Sequence, residues 1–144
     1  MIEKDTVKLL RECDAGVKMG VKSIDDVLDS VRSKKMRSIL TDCKKEHQVL
    51  GDEIEESLAR YGDDGKAPSA VAKGMSYMKT EMKLMVDSSD ATVADLMTDG
   101  CNMGVKSLCR YLNQYEAADE HSKDIAKRLI HLEQTLAADM QNYL

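Results

Sequence analysis

The 144-residue sequence contains no phenylalanine, no tryptophan and one proline, Pro68. Aromatic residues are strand formers, and with 5 tyrosines to stand in for the missing rings the chain has little from which to build a sheet. A single proline leaves long stretches without a helix breaker, so an all-α fold is the expected class. Long apolar runs are missing as well. No stretch approaches the roughly 18 apolar residues of a membrane span, and Met1-Ile2-Glu3-Lys4-Asp5 lacks the apolar segment of a secretion signal, which makes a cytoplasmic location the expectation. Cysteines are few, and Cys13, Cys43, Cys101 and Cys109 form no CxxC pair. Neither a zinc ribbon nor a disulfide framework is indicated, and free thiols are expected. Positive charge is not concentrated anywhere: 26 acidic and 21 basic residues are spread along the chain for a formal net charge of -5. Such a surface argues against nucleic acid or an anionic membrane as partner. The phosphate loop GxxxxGK(S/T), the dinucleotide motif GxGxxG, the GxSxG elbow and HExxH are all missing, so nothing supports an enzyme.

What the chain does contain is an octapeptide that occurs twice. Gly16-Val17-Lys18-Met19-Gly20-Val21-Lys22-Ser23 is matched by Gly100-Cys101-Asn102-Met103-Gly104-Val105-Lys106-Ser107, and the register continues through Ile24 with Leu108, Leu28 with Leu112, and Val31 with Tyr115. Both copies lie in amphipathic helical pattern. A helix-interior glycine is worse than alanine by about 0.5–1 kcal/mol, so the four together cost roughly 2–4 kcal/mol. Such residues are expected where a backbone or a bulky side chain comes close.

The first helix is expected from Asp5 to about Val31, with Ile2, Leu9, Cys13, Gly16, Gly20, Ile24, Val27 and Val31 on its inner face. After a junction capped by Ser33, a second helix places Met36, Leu40, Cys43, His47, Leu50, Ile54, Leu58 and Tyr61 inward and stops at Gly62. Asp63-Asp64-Gly65-Lys66 reads as a loop and Pro68 as a first helical position. A crossover helix over 67–86 then carries Val71, Met75, Met78, Met82 and Met85 as a stripe that suits a core. The second hairpin follows: Val93, Met97, Gly100, Gly104, Leu108, Tyr111 and Tyr115, then Ile125, Leu129, Leu132, Leu136, Met140 and Tyr143. The reading is a single domain over 1–144, with hairpins over 5–62 and 90–143 joined by a connector long enough to travel the length of a bundle.

Leu9-Leu10-Arg11-Glu12-Cys13-Asp14-Ala15-Gly16, the repeated hairpin, the crossover and Ala94-Asp95-Leu96-Met97-Thr98-Asp99-Gly100-Cys101 resemble bacterial ferritin-like proteins of unknown function. The resemblance implies a ferritin-like up-down four-helix bundle and no particular activity. A ferritin-type di-iron centre needs an inward Glu on the first helix of each hairpin and a Glu-x-x-His pair on the second. The chain has no Glu-x-x-His, since Lys44, Ala118 and Arg128 precede His47, His121 and His131 by three. Cys13, Gly16, Gly20, Met97, Gly100 and Gly104 fill the inner middle positions of the first helices, and Glu12 falls on a flank. His47 is the inward polar residue, and on antiparallel counting it reaches the level of the glycines and of Glu133. Its bland reading is a buried imidazole bonded to Glu133 or a carbonyl in room left by glycines; its functional reading is a pocket using His47, Glu133 and Cys13. The expected protein is therefore a binding or structural module without a cofactor, with a homo-oligomer left open. The competing class is a divergent metalloprotein with His47, Glu133, Glu12 and Glu46 around iron or manganese for redox or storage work. Cys109 falls on an outer face, where a reactive thiol is conceivable.

Overall fold

Three helix starts carry a side chain that answers an orphan backbone donor. Ser33, Ser89 and Asp119 accept from the N–H groups of Met36 (3.1 Å), Thr92 (3.3 Å) and Ser122 (2.8 Å). They open helices α2 (Lys34–Ala59), α3 (Asp90–Gln114) and α4 (Glu120–Met140), which with α1 (Ile2–Leu28) and a 3-10 turn (Gln141–Tyr143) make up the elements, without a strand among the described residues. The structure, a computed structural model, describes residues 2–68, 80, 83–84 and 87–144. The methionine stripe Val71, Met75, Met78, Met82 and Met85, and most of the crossover expected over 67–86, lie outside those residues. No described helix is long and apolar enough to cross a membrane.

Helix α1 starts earlier than Asp5 and stops short of Val31. There Ser30 and Val31 donate back to the carbonyls of Val27 and Leu28, turning the chain while laying Val31 onto the core. Asp90 accepts from the backbone N–H groups of Arg32 (2.8 Å) and Ser33 (3.0 Å), which ties this turn to the start of α3. At the other end of the bundle Thr6 Oγ1 accepts from Asp119 N at 2.8 Å, and the Lys8 ammonium lies 5.9 Å from the Tyr115 ring centre. Helices α1 and α3 thus run antiparallel, as do α2 and α4, while α1 and α4 run parallel and pack across the diagonal. Because Asp63 lies against Arg11 and Asp90 against Arg32, the connection between the hairpins leaves from one end of the bundle and arrives at the other.

The repeat has a structural meaning. Along α1 and α3 the buried residues match at an offset of 84 (Leu9 with Val93, Cys13 with Met97, Val17 with Cys101, Ile24 with Leu108). Along α2 and α4, which begin at Lys34 and Glu120, the offset is 120 − 34 = 86 (Met36 with Ser122, Leu40 with Ala126, Cys43 with Leu129, Leu50 with Leu136, Ile54 with Met140). Antiparallel pairing of equivalent helices makes the hairpins mates about an approximate twofold axis across the bundle. The apolar core is divided at that level. One cluster gathers Leu9, Val17, Leu50, Ile54, Leu108 and Leu129, and the other Ile24, Met36, Leu40, Val93, Met97 and Leu136.

Candidate functional site

Between the two apolar clusters lies a polar layer made of Gly20 on α1, His47 on α2, Gly104 on α3 and Glu133 on α4. His47 is fully buried. Its Nδ1 lies 2.8 Å from the Cys43 carbonyl oxygen, with the Cys43 Sγ 3.5 Å from the same nitrogen. A carbonyl can only accept, so Nδ1 carries a proton and donates it. The other nitrogen, Nε2, lies 2.8 Å from Glu133 Oε1. A neutral ring protonated at Nδ1 would turn a lone pair toward that oxygen, and a contact this short requires a proton between them. Burial works against a charged ring here. The hydrogen bonds to Cys43 and Glu133, and their charges, outweigh it and push the imidazole from 6.5 up to about 10. The pair is accordingly an imidazolium donating to a carboxylate.

Glu133 receives a second contact from Cys101. Burial, followed by the charge of Glu133 and the hydrogen bond to it, holds that thiol well above the usual range, so Cys101 stays protonated and donates. The glycines supply the room. A Cβ on Gly20 would stand 2.9 Å from His47 Cδ2 and Nε2, and one on Gly104 would stand 3.4 Å from Glu133 Oε2. His47 and Glu133 are themselves mates, 86 residues apart, as Gly20 and Gly104 are mates 84 apart. The layer is therefore one motif used twice, with a different polar residue in each copy.

The close packing expected of all four repeat glycines does not hold. Gly100 is exposed and a Cβ there would meet nothing within 4 Å, because the buried residue at this level of α3 is Cys101, the mate of Val17. At Gly16 the nearest atom, Leu129 Cδ2, is at an ordinary 3.5 Å. Tyr61, placed inward by periodicity, is 39% exposed because the helix ends just before it.

Of the residues set out as metal candidates, His47 and Glu133 meet and the other two stand apart. Glu12 accepts from Lys66 Nζ and contacts Tyr111, near the end of the bundle where the hairpin loop returns. Glu46 is exposed, beside a groove between α2 and α4 lined by Asp42, Cys43, Leu132 and Thr135. Cys13 belongs to the apolar cluster beyond Val17, and burial, with the charges of Glu12 and Asp14, pushes its thiol up to about 12. Among the described residues no group of three or more His, Cys, Asp and Glu could hold a metal ion. The di-iron centre that a ferritin-like fold implies does not fit the donors present: glycines stand where α1 and α3 would each offer a carboxylate, and the imidazole has both nitrogens engaged. A second groove, between α1 and α2 over Gly51, is lined by Val17, Val21, Gln48 and Asp52, and neither groove is lined by His47 or Glu133.

Two polar residues escaped the periodicity. Cys101 is missing from the expected inner face, where its neighbour Gly100 stands, and its mate Val17 is likewise missing beside Gly16. Asp14 is a buried carboxylate on α1, at 1% exposure, and it looks onto the 62–68 loop instead of the bundle axis. It accepts from Lys18 Nζ (2.7 Å) and Lys66 N (2.9 Å), while Arg11 donates to Asp63 (2.8 and 3.0 Å). Gly65, at φ +90, closes the loop over Asp14, where a Cβ would lie within 2.3 Å of Oδ2. The spacing of Asp14 and Lys18, four apart on one helix, was the available signal.

Set against known proteins, no family model and no curated sequence matches the chain. In fold it is similar to the crystal structure of a conserved hypothetical protein, rv2844, from Mycobacterium tuberculosis, with a TM-score of 0.73, 15% identity and 98% of each chain covered. At that identity the likeness is one of fold, a four-helix all-α arrangement.

Proposed function

We propose that the chain is a ferritin-like helical bundle that has no di-iron centre and acts through its surface as a binding or structural module. One observation carries this reading: the polar layer is satisfied from within, His47 giving both N–H groups to protein acceptors, one of them Glu133. Ligating carboxylates would have to enter from α1 and α3, and there the chain carries Gly20 and Gly104. The course of the chain, with two hairpins and a connection between opposite ends, is what supports the ferritin-like assignment.

The alternative is a divergent metalloprotein binding iron or manganese for redox or storage work. Glu12 is engaged by Lys66 and Glu46 is exposed on the outer side of α2, which leaves His47 and Glu133 with Cys43 and Cys101. Thiols in that set favour softer ions than iron(II) or manganese. Metal analysis of the protein purified from cells grown with iron and manganese separates the two readings. A module of the proposed kind carries substoichiometric metal, unchanged in His47→Ala, whereas stoichiometric metal lost in that variant rejects it.

A further inference from the structure

The two hairpins build their inner faces on matching positions, so each can be set against a second copy of itself through the same twofold geometry. Beside the polar layer the apolar mates discriminate poorly, Val17 matching Cys101, Leu50 matching Leu136 and Ile54 matching Met140, and only toward the start of α2 and α4 do they differ in size, Met36 against Ser122 and Leu40 against Ala126. The Glu53–Arg128 ion pair also crosses between hairpins, but at side-chain exposures of 34% and 45% it is open to solvent screening. The polar layer is different. Pairing hairpin with identical hairpin would bury His47 against a second His47, each with Nδ1–H already committed to its own Cys43 carbonyl, or Glu133 against a second Glu133. Pairing unlike hairpins sets one donor against one acceptor.

We propose that the His47–Glu133 pair is a pairing code that makes each hairpin accept the other hairpin, and reject a second copy of itself, as its partner. A buried pair of this kind contributes more to the choice of partner than to net stability, because like groups facing each other penalise the wrong assembly. The surface it governs is the inner face of each hairpin, and the partner it excludes is the same face of another chain. The glycines extend the code to a reversal. Gly20 and Gly104 leave space on both sides of the layer, so the two polar residues should be exchangeable.

Four full-length variants test this: His47→Glu, Glu133→His, the exchange carrying both, and the apolar double variant His47→Leu with Glu133→Leu. Thermal midpoints of the single variants should fall, and the exchange should melt above both. If the single variants fail to fold, a folded exchange variant is itself the expected rescue. An exchange variant that is unfolded, or melts no higher than the better single variant, overturns the proposal. Each chain holds one copy of each hairpin, so like pairing can occur only between chains and is read as association. By light scattering the apolar double variant should show a mass that rises with concentration beyond that of the wild-type chain; a mass that tracks the wild type at every concentration overturns the proposal. The proposal requires both results.

Discussion

At the scale of the residue, the same glycine does different work in different places. Gly20 and Gly100 both belong to the repeated octapeptide, yet one touches the His47 ring and the other faces open space. Gly20→Ala should therefore destabilise by about 1–3 kcal/mol, the usual range for overpacking. Gly100→Ala should stabilise by about 0.5–1 kcal/mol, because the helix gains propensity with nothing in the way. Chemical denaturation of the two variants checks both signs. His47 makes a second prediction. It is faced by Cys43 from its own helix and Glu133 from α4, while α1 offers Gly20 and Cys101 of α3 acts on the same Glu133. Its pKa is raised from 6.5 to about 10, so the stability it contributes is present in full below pH 6.5 and is lost as pH rises toward 10. Denaturation midpoints should fall across that interval in the wild type, and this part of the slope should be missing from Glu133→Gln.

At the scale of the element, the polar side of the first helix around Arg11 to Asp14 anchors a loop. Arg11, Glu12 and Asp14 hold Asp63 and Lys66, and through them the direction in which the chain leaves the first hairpin. Asp14→Ala removes charge-assisted bonds to Lys18 and to the Lys66 N–H and should destabilise by about 1.5–3 kcal/mol. Protease cleavage between Tyr61 and Pro68, slow in the wild type, should become fast in this variant. These roles explain which parts of the fold were legible. The inner face of α2 follows an unbroken helical period, so Met36, Leu40, Cys43, His47, Leu50, Ile54 and Leu58 could all be read from spacing, and each is buried. Helix α3 misled at Gly100 because a glycine has no side chain to declare a face, and its neighbour Cys101 is the inward residue. Asp14 was legible only as a neighbour of Lys18 one helical turn on; its other partner, the Lys66 N–H, lies 52 residues away in a loop, and periodicity along one helix carries no trace of it.

At the scale of the whole molecule, the bundle is one hairpin plan used twice, closed face to face with its unlike polar residues meeting in the middle. That meeting was foreseeable from the repeat and from the antiparallel count. The two-residue difference in offset between α1/α3 and α2/α4 comes from α3, which runs to Gln114, two residues past Leu112, the mate of the last residue of α1, and it is what makes His47 the mate of Glu133 and not of His131. The core on either side is ordinary apolar packing, so the character of the molecule rests on the state of one buried ring. The nitrogen-15 shifts of the His47 side chain, recorded from pH 5 to 11 on the full-length protein, report that state directly. Both ring nitrogens should remain protonated until the pH approaches about 10. A ring that becomes neutral near its ordinary value of 6.5 would be incompatible with an imidazolium held by Glu133 at the centre of the bundle.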